Sequence, residues 1–328
     1  MLHTRFDSFN EAYYALVNDT YNNFSFRSSP RGMQIKENLF VSFTIMNPRD
    51  RLLFLPDRKF SLQYVMAEIL WYLSGNNMTD WISNYSSFWK DISDDGQTAN
   101  SAYGARIFKN HPYQRDPANS SRSIDFTQWE YVKQELSKDP DSRRAVMHIR
   151  QPQDSYLATK DVPCTLSLQF FIRQNKLHLI VQMRSNDLIL GTALDVPAFT
   201  FMQEMMALEL GVELGEYHHT SNSMHVYERH FEMCEKIIRR ELTTSEPMPR
   251  LEESPPVDTF MQLEDVMRKC TLEELEMTYD EITERLQSPL HRDWMIILLA
   301  HRAKKLGSRE LESSFNSRLT LDCFKKIA

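Results

Sequence analysis

Residues 161–199 read DVPCTLSLQFFIRQNKLHLIVQMRSNDLILGTALDVPAF. Cys164 to Arg173 and Lys176 to Arg184 are two runs rich in aromatic and branched apolar residues. Gln174–Asn175 joins them, the two-residue spacing of a tight hairpin. Pro197 to Leu210 (PAFTFMQEMMALEL) then reads as a buried helix, with proline near its first turn and Gly211 just after its end. A hairpin feeding a buried helix puts a sheet in the middle of the chain and makes the class α+β.

Outward from this centre, Arg144 to Arg150 and Asn38 to Met46 (NLFVSFTIM) are further strands. Residues 5–24 form an opening helix. Ser61 to Ser74 has apolar residues at 62, 65, 66, 69, 70 and 73, which is helical spacing, and Gly75 suits the position after the C-cap. Residues 79–92 (with Trp81, Tyr85, Phe88 and Trp89), Asp125 to Leu136 and Met224 to Leu242 read as helices, whereas Arg27 to Gly32 (RSSPRG) and residues 109–123 read as loops. Residues 243–258 (TTSEPMPRLEESPPVD) are a Pro- and Glu-rich linker, and 259–328 is all-helical. The chain therefore divides into a mixed α+β body, 1–245, and a linker with a helical C-terminal extension, 246–328.

The 328 residues are 25% charged and 41% hydrophobic, which is globular rather than disordered. A net charge of -7 argues against a nucleic-acid polymer as partner. Glycine is scarce, at 8, and neither GxGxxG nor GxxxxGK[ST] occurs. Four cysteines without a CxxC pair read as reduced thiols in the cytoplasm. The N-terminus lacks an apolar signal core, and the longest strongly apolar run, Met295 to Ala300, is too short to span a membrane.

Cys164 is either a buried structural thiol or a nucleophile. The hairpin favours the second reading by bringing Arg184 close to it. Arg31, the Arg143–Arg144 pair, Arg184 and Ser185 make a cradle for one phosphate, because guanidinium forks match phosphate oxygens. A metal cluster of His218, His219, His225, Glu228 and His230 is the weaker alternative: HExxH spacing is absent, and neighbouring histidines do not easily face one ion. No metal is expected.

Pro163–Cys164, Gln169–Phe170, Gln182 to Gly191 (QMRSNDLILG) and His225–Val226–Tyr227 resemble, in order and spacing, the motifs of the thymidylate synthase family. The Arg143–Arg144 pair and the helix around Glu68 (AEILWYLSG) agree, over a span of about 9 to 242. The resemblance implies a mixed sheet flanked by helices, a homodimer with shared active sites, and 5,10-methylenetetrahydrofolate as co-substrate of a pyrimidine nucleotide monophosphate. It implies that Cys164 attacks C6 of the base, that Glu68 organises water and relays protons, and that Tyr103 lies near the nucleophile. Arg31, Arg184 and Ser185 would hold the phosphate, with Arg143 and Arg144 reaching across from the other subunit. His225 and Tyr227 would bond the sugar. Asp187, Trp89, Gly191 and Arg58 would contact the folate, although Trp89 also reads as plain core.

Synthases carry an Asn four residues after the LG of this segment, where it reads uracil. Here that position is Asp195, as in the deoxycytidylate hydroxymethylase branch, which PDSRR, MRSND and MHVYERHF also resemble. A carboxylate accepts from the cytosine amino group, and a protonated carboxyl donates to N3. Asp195 as a mere helix N-cap is the structural alternative. The expected product is the 5-hydroxymethyl nucleotide, with dCMP favoured and CMP close behind. Methylation of dUMP, or a non-catalytic binding protein, are the alternatives. Thr165 and Met183 replace the usual His and Gln, and the family's C-terminal lid segment has no counterpart.

Overall fold

The computed structural model describes residues 4–58, 60–109, 115–116, 119–123 and 126–328. The strands are β1 (Thr4–Phe6), β2 (Phe26–Ser28), β3 (Ile35–Ile45), β4 (Arg115–Asp116), β5 (Asn119–Ser123), β6 (Val146–His148), β7 (Thr165–Arg173), β8 (Lys176–Met183), β9 (Asn186–Asp187) and β10 (Glu213–Tyr227). β7 and β8 form the expected antiparallel hairpin. Gln174 and Asn175 both take positive φ, 52° and 58°, as the central residues of a tight two-residue turn do. From there the sheet runs β6–β7–β8–β10–β3–β1, with β2 on β3 and β9 on β10. β4 and β5 pair separately within the stretch read as a loop, of which residues 110–114, 117 and 118 lie outside the described residues.

β10 corrects the sequence reading. Met224 to Tyr227 are not the start of a helix: they finish a 15-residue strand, and Met224, His225, Val226 and Tyr227 pair with Asn38, Glu37, Lys36 and Ile35 of β3. Residues 213–223 carry no apolar alternation because several of the side chains this strand buries are polar: His219 and Ser221 are 0% exposed.

The helices of the body are α1 (Phe9–Asn22), α2 (Leu62–Leu73), α3 (Thr79–Ile82), α4 (Phe88–Ile92), α5 (Tyr103–Phe108), α6 (Gln128–Lys138), α7 (Ala193–Leu210) and α8 (Phe231–Arg239). Residues 79–92 split into α3 and α4. The Asn84 amide donates to Asp80 O and Trp81 O, carbonyls that a continuing helix would need. α6 opens on a reciprocal Thr127–Glu130 capping box. α7 begins four residues before Pro197, after a π-helical turn over Leu188–Thr192. Proline one turn into α7 leaves only the Ala193 carbonyl without its helical donor. Gly211 closes the helix at φ 68°.

α2 is buried on nearly every side. Part of its cover comes from the extension, α9 (Val257–Lys269), α10 (Leu275–Arg285), α11 (Pro289–Lys305), α12 (Arg309–Ser317) and α13 (Asp322–Lys325). Trp294 of α11 is 0% exposed, donates its indole N–H to Met66 O at 3.1 Å and meets Phe201 of α7 edge-on. Glu264 of α9, also fully buried, accepts from the Trp81 indole and from Tyr85 OH. The segment before α9 is extended but not loose: Met248 N bonds Arg49 O, and Leu251 N bonds Glu204. Among the described residues no helix is long and apolar enough to cross a membrane.

Candidate active site

Cys164 sits just ahead of β7, and Arg184 just past β8, across the open end of the hairpin. Arg184 N bonds Cys164 O at 2.9 Å. Its guanidinium donates to Pro163 O (2.9 Å) and Val162 O (2.8 Å) and lies 3.5 Å from Cys164 Sγ. Burial pushes the thiol above its usual range, while the Arg184 and Arg31 charges pull it down and Asp195 and Asp161 raise it. Arg31 reaches this region from a turn, Pro30–Gly32, in which it holds a left-handed φ of 53°. Cys164 is half-buried, whereas Cys234, Cys270 and Cys323 are buried. Iodoacetamide applied to the native protein is therefore expected to modify Cys164 first and the other three only on unfolding. Peptide mapping by mass spectrometry checks this, and equal labelling of all four would refute it.

Two carboxyls share the interior beside this thiol. Glu68, 5% exposed on α2, accepts from Tyr64 OH at 2.9 Å, and Tyr64 OH in turn accepts from the Trp89 indole at 2.8 Å. Burial, helped by the charge on Asp195, pushes Glu68 up to about 8 against the pull of Tyr64 and Tyr72. Asp195 lies inside the first turn of α7 and is not its N-cap, which is Thr192. Burial raises Asp195 to about 7, opposed by the hydrogen bond from Asn186. Tyr103 OH accepts from Thr165 N at 3.4 Å and feels the charges of both Cys164 and Asp195. Its helix, α5, presses on α2 closely enough that a Cβ on Gly104 would meet Tyr72 O at 2.2 Å. Hydrogen bonds and charge interactions therefore tie Cys164, Arg184, Glu68, Tyr103 and Asp195 into one cluster.

Behind Asp195 lies a set of residues that sequence reading did not single out for this role. Asn186 donates to Asp195 Oδ2 at 2.8 Å; its own Oδ1 accepts from Thr192 OH at 2.6 Å and meets His219 Nε2 at 3.2 Å. His219 Nδ1 lies 2.9 Å from Tyr217 OH. Gly191 makes room for this bonding, since a Cβ there would lie 2.9 Å from Asn186 Nδ2 and 3.4 Å from Asp195 Oδ2. Only the spacing of alternate residues, Tyr217 and His219, could have hinted at a shared strand face.

Asp187 accepts from Ile189 N at 2.8 Å. Arg58, 8% exposed, donates to Ile189 O. Arg58 Nε and His230 Nδ1 are buried without a hydrogen-bond partner among the described residues, and the charges of Arg58 and Asp187 both act on His230. An unfilled donor, an unfilled ring nitrogen and a carboxylate suit a flat heterocycle with alternating donors and acceptors, as a pterin is. Trp89 is 7% exposed and packs edge-on to Trp71. His225 and Tyr227 alternate along β10 with ring centroids 5.1 Å apart. Ser185 follows Arg184 and is half-buried.

Arg143 and Arg144 do not join this group within the chain. They are exposed, Arg144 pairs with Glu135, and the adjoining Ala145 bonds Phe170, far along β7 from Cys164. That separation is roughly 20 Å at the usual rise per strand residue. The histidine cluster is also divided, because successive strand residues point to opposite faces. His219 faces the core, while His218 lies with His178 and Glu216, ligand atoms within 4.8 Å. There His178 Nδ1 accepts from Glu216 N at 3.2 Å. The remaining nitrogen of neutral His178 then carries the proton and offers no lone pair to an ion.

A family model described as thymidylate synthase matches residues 11–283, reaching past the motif-bearing span into the extension. A deoxyuridylate hydroxymethyltransferase of Bacillus phage SP01 is 37% identical over 202 residues, 61% of this chain and 52% of that protein. A deoxyuridylate hydroxymethyltransferase of Delftia phage PhiW-14 is 32% identical over 216 residues, 62% of this chain and 56% of that one. A thymidylate synthase of Bacillus phage phi3T is 30% identical over 189 residues, 57% of this chain and 65% of its own. The chain thus spans only 52% to 65% of the length of these relatives. Among solved structures, the thermostable thymidylate synthase A from Bacillus subtilis superposes with a TM-score of 0.58 at 24% identity, over 72% of this chain and 86% of that one.

Proposed function

This chain belongs to the thymidylate synthase family, and from that premise we propose that it hydroxymethylates C5 of a cytidine monophosphate, dCMP ahead of CMP. The observation that carries this reading is the carboxyl of Asp195. It stands where synthases have an amide, and burial raises it to about 7. At neutral pH it can hold a proton for N3 or accept from the exocyclic amino group, and only cytosine asks for that combination.

Cys164 adds its sulfur to C6, drawing on the Arg184 and Arg31 charges to favour the thiolate. 5,10-Methylenetetrahydrofolate, as co-substrate, supplies a one-carbon unit at the oxidation level of formaldehyde. Arg58, Asp187 and His230 suit its pterin, and Gly191 and Trp89 are its further contacts in this reading. Glu68, raised to about 8, holds a proton at neutral pH and can pass it to or from water near C5. C5 bonds the one-carbon unit and gives up its proton as tetrahydrofolate departs, water adds to the carbon now attached at C5, and Cys164 leaves C6. The sum is nucleotide, co-substrate and one water in, hydroxymethyl nucleotide and tetrahydrofolate out. Arg31, Arg184 and Ser185 hold the phosphate, and His225 and Tyr227 the sugar. Arg143 and Arg144, remote from their own Cys164, complete the phosphate site of a second subunit in a cytoplasmic homodimer.

The names of the phage relatives favour a second reading, with a uridylate as substrate. Incubation with dCMP, CMP or dUMP plus 5,10-methylenetetrahydrofolate separates the two. Gain of CH2O by a cytidylate, with release of tetrahydrofolate, is expected. Gain of CH2O by dUMP in preference to the cytidylates, or dihydrofolate together with a methylated uridylate, sinks the proposal.

A further inference from the structure

Tyr217, His219 and Thr192 are 0% exposed and Asn186 is 2% exposed, so the hydrogen bonds behind Asp195 are sealed from water and their donor order is internally fixed. Tyr217 OH has no other acceptor among the described residues than His219 Nδ1, 2.9 Å away. His219 is held neutral by burial and stacks on Phe43 with centroids 5.0 Å apart. A neutral imidazole that accepts at Nδ1 carries its proton on Nε2. That proton points at Asn186 Oδ1, which also takes the Thr192 hydroxyl. With its oxygen occupied by two donors, the Asn186 amide offers Asp195 only an N–H.

We infer that Asn186, oriented by His219, Tyr217 and Thr192, is a specificity-determining residue acting through Asp195. It fixes Asp195 Oδ2 as an acceptor and leaves Oδ1 as the oxygen that carries a proton. The base therefore meets a donor at Oδ1 and an acceptor at Oδ2. This rests on the reading of position 195 as the residue that reads the base, and it holds whichever pyrimidine the enzyme prefers.

The consequence is specific. An amide at position 195 is turned by Asn186 so that its oxygen takes the place of Oδ2 and its nitrogen the place of Oδ1, the same order as protonated Asp195. The opposite orientation faces two donors in a buried site, which costs about tenfold or more in binding. Asp195→Asn alone is thus expected to keep the base preference of the wild type, at reduced turnover. In Asn186→Asp/Asp195→Asn the carboxylate at 186 accepts from His219, Thr192 and the new amide, and the donor order at 195 reverses.

The test is the ratio of kcat/KM for dCMP over dUMP in wild type, Asp195→Asn and the double variant. An inverted ratio in the double variant only is the expected result. Inversion in Asp195→Asn alone, or an unchanged ratio in the double variant, overturns the inference. Proton-coupled nitrogen NMR of His219 in the substrate-free wild type supplies a readout that needs neither turnover nor a folded variant. Hydrogen on Nε2 supports the relay, and hydrogen on Nδ1 overturns it. The wild-type ratio alone tests which base is preferred, so failure of the cytidylate reading and failure of the relay are separable.

Discussion

Cys164→Ala is expected to lower kcat by a factor on the order of 10⁴ or more, while nucleotide affinity changes only a few-fold. The first part follows from removing the atom proposed to form the covalent bond; loss of a nucleophile leaves only binding and electrostatic contributions to rate. The second follows from where the other contacts lie. Arg184 is held by the carbonyls of Val162 and Pro163, which the substitution leaves in place, and Asp195 is held from the opposite side by Asn186. Steady-state kinetics paired with nucleotide titration checks both parts. A covalent adduct visible by mass spectrometry in wild type and absent in the variant is the companion result. Full turnover by Cys164→Ser would remove Cys164 from the mechanism.

Glu68→Gln moves activity and stability in opposite directions. Turnover falls by roughly 10²–10⁴, the usual worth of a positioned proton donor and acceptor. The stability sign comes from the raised carboxyl. Folded Glu68 keeps its proton up to about pH 8, whereas the unfolded chain releases it near 4.5. Between those values the folded state binds more protons, so wild-type stability is fully present below about pH 4.5 and declines as pH rises through 8. Glutamine has no proton to lose. The variant therefore gains on wild type from pH 5 to pH 8, by roughly 3–5 kcal/mol at most. Chemical denaturation at the two pH values measures it. A wild-type and variant difference that does not change with pH would mean that Glu68 is not held protonated by burial.

The hairpin, the buried helix after it and the cysteine–arginine pair were legible in residues 161–199 because each announces itself locally. Gln174–Asn175 is a turn by its residue types, and Pro197 and Gly211 bracket a helix by backbone chemistry alone. Cys164 and Arg184 come together because a hairpin joins its own ends. β10 was not legible. Its length and central place depend on pairing with β3, far earlier in the chain, and on buried polar side chains that satisfy one another, so no hydrophobic period marks it. The same physics hid the residues behind Asp195. His219 drew notice only as a possible metal ligand, and its actual partners, Tyr217, Asn186 and Phe43, converge only once three strands are aligned. The division of residues 79–92 turned on one amide, Asn84, bonding back to two carbonyls.

Trp294 and the Met66 carbonyl it bonds are 228 positions apart. At the ribosome, about 5–20 residues are added each second. For roughly 10–45 s after Met66 is made, then, the helix that bears Glu68 exists without the tryptophan that caps its apolar side. During synthesis this body waits for its own tail, with the apolar side of α2 uncovered until residue 294 is made.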